Sequence, residues 1–220
     1  MQSGALGPYE SSLRVPTPLE LVSETGHLIN LDIERYLAPC DAVDETVLDR
    51  CQGPVLDVGC GPGRIVRALA ERGVSALGVD IAPTAVQLTR ERGAAALERS
   101  LFDRVPGEGR WPTALVLDGN VGIGGDVDRL LHRIADLIAP GGRAIVETHP
   151  DQYTDDVLQV CFRSSGVVVG TPFPWAVIGA AVLSRRAART RTLYSVDEWS
   201  VGGRAFTVLE RRDSLRTRSA

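Results

Sequence analysis

Residues 55–63, VLDVGCGPG, followed by residues 64–73, RIVRALAERG, decide how this chain is read. A short β-branched apolar run, a turn with glycines at 59, 61 and 63, and a helically spaced run ending at Gly73 make a strand, a tight turn and a helix. Three glycines at alternate positions imply backbone conformations closed to residues with a side chain, and they let a ligand approach the main chain. A tight turn with no ligand satisfies the same pattern, so context has to decide. The next segment, SALGVD, reads as a second strand ending on Asp80, and PTAVQLTRERG reads as a helix with Pro83 in its first turn. A carboxylate at that strand end can accept both hydroxyls of a ribose. The dinucleotide fingerprint G-x-G-x-x-G is not met, because Arg64 stands where its third glycine belongs. A nucleoside without a pyrophosphate suits the turn better than NAD or FAD.

The alternation continues outward. AALE and ALVLD read as strands, VDRLLHRIADLIAPGG as a helix closed by Pro140 and Gly141, and RAIVETH as a further strand. Repeated strand and helix units whose strands are apolar on both faces predict a parallel sheet covered by helices, a doubly wound α/β fold. The last third departs from this. VLQVCFR and VVVG around the turn SSG predict a hairpin, PWAVIGAAVLSRRAART a helix begun by Pro174, and TLYSVDEWS with RAFTVLERR a second hairpin. Upstream, the first 25 residues, with prolines at 8, 16 and 18, read as an irregular arm. From Leu28 to Cys51 the apolar positions follow helical spacing with a break at Pro39, which predicts two helices, the second beginning near Asp41.

A chain of 220 residues with 44% hydrophobic and 24% charged residues reads as one ordinary globular domain or one domain with a modest appendage. It holds no apolar run of membrane-spanning length, and its first ten residues, MQSGALGPYE, lack a signal sequence, so a cytoplasmic protein without a membrane partner is expected. All 24 basic residues are arginine, which excludes a lysine Schiff base and a P-loop lysine. Residues 1–60 carry ten acids against three arginines, and residues 181–220 nine arginines against four acids. Such a tail reads as a solvated helix face, and nucleic acid is not an expected partner. Cys40, Cys51, Cys60 and Cys161 show no metal-site spacing. No metal is expected, and Cys60 reads as a small packing residue in the glycine turn.

VLDVGCGPG with GVD downstream resembles the cofactor-binding region of class I S-adenosylmethionine-dependent methyltransferases. LIAPGGRAIVE is similar to that family's helix, Pro-Gly-Gly turn and fifth strand, and ALVLDGNVGIGGD resembles the fourth-strand segment of small bacterial members. The resemblance covers about residues 50–212. It implies a Rossmann-like, seven-stranded, mostly parallel sheet with an antiparallel carboxyl-terminal hairpin, and S-adenosyl-L-methionine as cofactor. It also implies an arm at residues 1–50 that covers the active site, a cofactor-binding domain at 51–212 with a hairpin inserted near 156–170, and a tail at 213–220. By position, Gly59, Cys60, Gly61 and Gly63 approach the methionine part of the cofactor, Asp57 lies near its amino group, Asp80 holds the ribose and Ile81 packs on the adenine. The family commonly has an aspartate after the third strand; here Ser100 stands there, followed by Leu101 and Phe102, so adenine recognition rests on a hydroxyl and backbone groups.

Ligands of open α/β sheets sit at the carboxyl ends of the strands, which directs attention to Asp118, Gly119, Asn120, Glu147, Thr148 and His149. His149 is the candidate general base, with a strand-end histidine bonded to a loop as the alternative. Asp118, Gly119 and Asn120 are candidates for the cofactor site or for shaping its loop. His132 reads as structural. His27, Tyr9 and Tyr36 lie where resembling enzymes cover the acceptor, and Phe173, Pro174 and Trp175 can wall a pocket. The expected activity is methyl transfer to an oxygen or nitrogen of a small molecule, in keeping with specialised metabolism. The alternatives are a non-catalytic module binding S-adenosylmethionine or a nucleoside, and an NAD-dependent oxidoreductase. The sequence leaves the oligomeric state open.

Overall fold

A computed structural model describes residues 6–213; most of the expected tail, residues 214–220, lies outside the described residues. Strand β3 (Val55–Val58) lies in the interior of a seven-stranded sheet and is buried along its whole length. It pairs in parallel with β4 (Ala76–Asp80) on one side and β6 (Trp111–Val116) on the other. Parallel pairing continues from β4 to β5 (Ala96–Glu98) and from β6 to β7 (Ile138–Thr148). The sheet ends in the antiparallel strands β11 (Arg204–Arg211) and β10 (Leu193–Val201), giving the order β10-β11-β7-β6-β3-β4-β5. The doubly wound sheet and its closing hairpin follow the sequence reading.

Both faces of the sheet are covered. Ala114 and Val116 of β6 join the cluster beneath Leu130, Leu131 and Ile134 of α6 (Val127–Leu137), while Leu115 packs on the other face with Ile65 and Leu69 of α4 (Arg64–Glu71). The period-two alternation of the apolar run Ala114–Val116 therefore feeds two cores. Helix α5 (Pro83–Glu91) follows β4, as expected from Pro83.

The amino-terminal region differs from the sequence reading. Residues taken for an irregular arm hold α1 (Gly7–Arg14) and β1 (Leu19–Ser23), and the start of the expected first helix is instead β2 (Leu28–Leu31). Leu28 and Leu31 suit a helical period, but the run is four residues long, and β1 lies antiparallel beside it with Leu19 opposite Leu31. Pairing with a neighbour decides what so short a run cannot. Helices follow at α2 (Ile33–Leu37), capped by Asp32, and α3 (Ala42–Leu48), whose Asp41 and Asp44 form a reciprocal capping box.

The predicted first hairpin is present as β8 (Asp155–Ser164) and β9 (Val167–Ile178). Strand β1 pairs with β8, so these elements build a second, four-stranded sheet in the order β2-β1-β8-β9. Strand β9 runs through Pro174, and the helix expected to begin there, α7 (Ala180–Arg189), starts after Gly179. Pro174 stands opposite Gln159 in the terminal strand of its sheet, where a missing N–H is tolerated. Likewise, α6 stops at Leu137, and Pro140 and Gly141 belong to the run of β7. Among the described residues, no helix is long and apolar enough to cross a membrane.

Candidate functional site

The carboxyl ends of β3, β4 and β6 open onto one cavity of about 1210 Å³, its open mouth included. Its floor is the sheet end with the glycine turn; its walls come from α1, α2 and the four-stranded sheet. Asp57, Gly59, Cys60, Gly61, Asp80, Ile81, Ser100, Leu101, Asp118 and Asn120 all line it. The sequence spreads these residues over four segments, and the parallel pairing brings them together. Gly63, Gly119 and His149 are not among its lining residues.

The glycines at 59, 61 and 63 have φ of 70°, 54° and 83°, yet their roles differ. A Cβ on Gly59 would stand 2.4 Å from Asn120 Nδ2, which donates to the carbonyls of Val58 and Gly59 at 3.0 and 2.8 Å. A Cβ on Gly63 would overlap Thr89, whose hydroxyl donates to the Gly61 carbonyl at 3.0 Å. Both glycines therefore permit packing. Gly61 is the least crowded of the three: a Cβ there would meet only the Tyr9 hydroxyl, 3.2 Å away, which would have to give way slightly. Asn120 is thus a staple that shapes the turn as well as a wall of the cavity.

Two acids face this turn. Asp80 accepts the Gly61 N–H at 2.9 Å through Oδ2 and the Ala82 N–H at 2.8 Å through Oδ1. Burial still raises its pKa above the ordinary carboxylate range, against the pull of those N–H groups. Asp57 is 3% exposed, and burial pushes it up to about 7; Arg64 opposes that shift, while Asp118 and Asp80 add to it. The Cys60 thiol is also pushed up by burial, and its sulfur fills the space that a Cβ on Gly78 would need. A neutral, buried thiol is a packing group. Ser100 turns its hydroxyl to the N–H of Phe102 at 3.2 Å.

Beside the turn lies a cluster of three arginines and three acids from six elements or their ends. Asp118 has φ 55°, a left-handed conformation rare for a residue with a side chain. Its N–H donates to Glu147 Oε2 at 2.7 Å, and its carboxylate receives Arg64 at 2.8 and 2.9 Å and Arg35 at 3.0 Å. Arg204 donates to both oxygens of Glu147 at 2.7 Å and to Asp44 at 2.8 Å. Asp44 is wholly buried; burial opposes its ionisation, but Arg64, Arg204 and Arg35 outweigh it and hold its pKa below the usual value. The charges balance within the cluster, and it ties α2 and α3 to the ends of β6 and β7 and to β11. Nε and Nη1 of Arg64 remain without a partner.

His149 is exposed, and its Nδ1 lies 3.1 Å from the Asp151 N–H and 3.0 Å from the Thr154 hydroxyl. The chain after β7 is drawn toward β9, with the His149 N–H bonded to the Ile178 carbonyl and a bridge to Gly179. Of the two readings of His149, the structure shows the one in which the histidine bonds the following loop, and it does not line the cavity. His27 and His132 are likewise exposed and outside the cavity. Gly119 caps the 3₁₀ turn Asn120–Gly122 at φ 80°, a conformational role.

The apolar half of the cavity is formed by Leu21, Leu31, Ile123, Phe162, Phe173 and Trp175. Phe162 and Phe173 have ring centroids 5.3 Å apart, and Phe173 meets Trp175 edge-on at 6.3 Å. Phe173 and Trp175 wall the pocket while being buried in the core of the small sheet; Pro174, between them, points away and is exposed. Tyr9 and Tyr36, anticipated as cover, both reach the cavity. Sequence reasoning missed Arg35, Asp44 and Arg204, which lie up to 169 positions apart and share no motif. It noticed Arg64 only for breaking the dinucleotide fingerprint.

Residues 55–142 match the family described as methyltransferase domain. The chain is 33% identical over 103 residues to a ubiquinone biosynthesis O-methyltransferase of Pseudomonas paraeruginosa, covering 43% of each protein. It is 30% identical over 152 residues to a trans-aconitate 2-methyltransferase of Paracidovorax citrulli, covering 67% of this chain and 55% of that one. The matches thus span about half the length of these curated relatives. Among solved structures, a SAM-dependent methyltransferase from Bacteroides fragilis in complex with S-adenosyl-L-homocysteine shares the fold with a TM-score of 0.76 at 22% identity, covering 96% of this chain and 95% of that one.

Proposed function

Since the chain carries a class I S-adenosylmethionine-dependent methyltransferase domain, we propose that it transfers the methyl group of S-adenosylmethionine to an oxygen or nitrogen of a small, largely apolar molecule. The observation that carries this reading is the meeting, in one cavity, of bare backbone at Gly61, the acids Asp57 and Asp80, and a water-excluding apolar wall. The residues fit the cofactor. A side chain at position 61 would fill the space where backbone must be approached, and Asp57, forced up to about 7, gains from a cation brought beside it. In this reading Asp57 holds the cofactor's ammonium, Asp80 takes the ribose hydroxyls on its remaining lone pairs, Ile81 and Leu101 sandwich the adenine, and Ser100 borders it.

When bound, the cofactor supplies a methyl group on a sulfonium, electrophilic enough that alignment and exclusion of water are the main demands on the protein. Phe162, Phe173, Trp175 and Leu21 supply that exclusion. The cluster of Arg35, Arg64, Arg204, Asp44, Asp118 and Glu147 fixes the cover against the strand ends, so that the acceptor is held in one orientation. Within residues 1–50, the described part from residue 6 acts as cover, and residues 51–212 act as the cofactor domain, with β8–β9 as its insertion. The partner is a small-molecule acceptor rather than nucleic acid, and specialised metabolism in the cytoplasm accords with this role.

The test is calorimetric titration with S-adenosylhomocysteine, followed by incubation with methyl-labelled S-adenosylmethionine and a panel of small hydroxyl and amine acceptors. Saturable binding at one site and label recovered in an extracted product are expected. Folded protein that gives no heat with either nucleoside would remove the reading.

A further inference from the structure

Asn120 stands at the seam between the two halves of the cavity. On one side its Nδ2 donates to the carbonyls of Val58 at 3.0 Å and Gly59 at 2.8 Å, at the root of the glycine turn. On the other, the 3₁₀ turn that it opens lies against the apolar wall, where Ile123 bridges Trp175 and a Cβ on Gly122 would stand 2.6 Å from Trp175 Nε1. The two carbonyls fix which end of the amide is which, because only its nitrogen can donate to them. Oδ1 takes no part in that staple, and among the described residues no donor meets it. The buried side-chain nitrogens and oxygens without a partner belong to Arg35, Arg64 and Thr207, so Asn120 Oδ1 is an unpaired acceptor that stays open, in a residue that lines the cavity.

An open carbonyl oxygen accepts a hydrogen bond, so the group that it receives must carry a proton. The rest of the cavity decides which group that is. The histidines lie outside it, and the Tyr9 and Tyr36 phenols, raised by burial, keep their protons. Asp80 is occupied by the N–H groups of Gly61 and Ala82, Asp118 by Arg64, Arg35 and Arg204, and Asp57 is assigned above to the cofactor's ammonium. Among the described residues no free base therefore faces the acceptor, and a neutral hydroxyl would stay a weak nucleophile. An oxyanion is opposed by the carboxylates themselves: beyond the effect of burial, Asp80 adds to the rise of Tyr9 and Asp118 to that of Tyr36. A neutral amine escapes both restrictions, since its lone pair is nucleophilic while its N–H is still in place, and the charge that develops on nitrogen is positive.

Resting on the methyltransferase reading, we propose that Asn120 Oδ1 accepts the N–H of a neutral, ring-bound amine and so fixes the direction of the nitrogen lone pair. The acceptor class is aryl and heteroaryl amines, whose low basicity keeps them uncharged at neutral pH. The lone pair forms the new bond to carbon as the carbon–sulfur bond breaks toward sulfur, and the N-methylated ammonium so formed releases its proton to solvent. The wall of Phe162, Phe173 and Trp175 suits the flat ring and strips it of water.

The test uses the full chain saturated with S-adenosylhomocysteine and coumarins that share one ring: 7-aminocoumarin, 7-methylcoumarin, 7-(dimethylamino)coumarin and 7-hydroxycoumarin. The amine should bind about 3- to 10-fold more tightly than the methyl and dimethylamino compounds, the range for one hydrogen bond between neutral groups, and more tightly than ionised 7-hydroxycoumarin. That preference should vanish in Asn120→Ala and persist in Asn120→Asp, which keeps an oxygen there but loses the donor to Val58 and Gly59; a staple alone would make both variants lose it. Thermal melts report whether each variant folds, and where one does not, the wild-type affinities decide. With methyl-labelled S-adenosylmethionine in place of the product, label should appear on the nitrogen of 7-aminocoumarin. Equal affinity for the amine and its methyl and dimethylamino counterparts, tighter binding of ionised 7-hydroxycoumarin, an undiminished preference in folded Asn120→Ala, failure of the amine to bind, or no label on the bound amine would overturn the proposal. Failure of S-adenosylhomocysteine itself to bind would instead remove the methyltransferase reading.

Discussion

The main-chain N–H of Gly61 points at the carboxylate of Asp80, 2.9 Å from Oδ2, so the glycine turn after β3 is held in shape by the acid that ends β4. One residue thus serves both the geometry of the turn and the ligand above it. Asp80→Ala removes the acceptor of a buried donor as well as a candidate ribose contact. A stability loss of about 1–3 kcal/mol is expected together with a loss of S-adenosylhomocysteine affinity. Asp80→Asn, which keeps one carbonyl acceptor, should recover much of the stability and less of the affinity. Parallel thermal melts and calorimetry separate the two; an unchanged affinity in a folded Asp80→Ala protein would place the ribose elsewhere.

The three glycines of the turn should separate by phenotype. Gly61→Ala meets a positive φ and only the Tyr9 hydroxyl, 3.2 Å from the added Cβ, so binding should fall more than stability. Gly59→Ala and Gly63→Ala drive a Cβ into Asn120 and Thr89 and should lower the melting temperature first. Comparable losses of stability at all three positions would mean that Gly61 has no ligand above it.

Asp57 predicts two opposite pH dependences. Its folded pKa, about 7, exceeds the ordinary carboxylate value, so between about pH 4 and 7 the native state holds a proton that the unfolded chain has lost, and stability falls as pH rises. Asp57→Asn should therefore become progressively more stable relative to the wild type from pH 5 to 8. Binding of a cation beside Asp57 needs the ionised form, so affinity for S-adenosylhomocysteine should increase over the same range in the wild type and be flatter in Asp57→Asn. Identical profiles for the two proteins would take Asp57 out of the site.

His149→Ala should leave turnover within about 3-fold of the wild type, far from the roughly 10²- to 10⁴-fold effect of losing a positioned base. Its ring bonds the 151–154 loop at the exposed end of β7. A loss of two orders of magnitude at unchanged cofactor affinity would restore it as the base.

Asp44→Ala should be among the most destabilising single changes, by about 3–5 kcal/mol, because Arg64, Arg204 and Arg35 lose a shared buried counter-charge. Since the folded pKa of Asp44 is depressed, its contribution is complete above the ordinary carboxylate range and disappears as pH falls below about 4. The gap between wild type and variant, followed by denaturant unfolding, should close in acid; a constant gap would assign the loss to packing.

The sequence by itself determined the parallel sheet, the glycine turn and the floor of the cavity. Those features rest on local rules: a short, mostly apolar strand, glycines where φ must be positive, a proline at a helix start, and strand ends that converge once pairing is parallel. Tertiary structure decided the rest. Leu28–Leu31 became a strand because β1 lay beside it, and β1 in turn pairs with β8, some 140 residues onward, to build the wall of Phe162, Phe173 and Trp175. The placement of His149 followed the pull of β9 on the chain after β7, which no local pattern encodes. Arg35, Asp44, Arg64, Asp118, Glu147 and Arg204 leave no periodic trace, because a charge cluster is specified by where elements meet and not by the spacing of residues within any one of them.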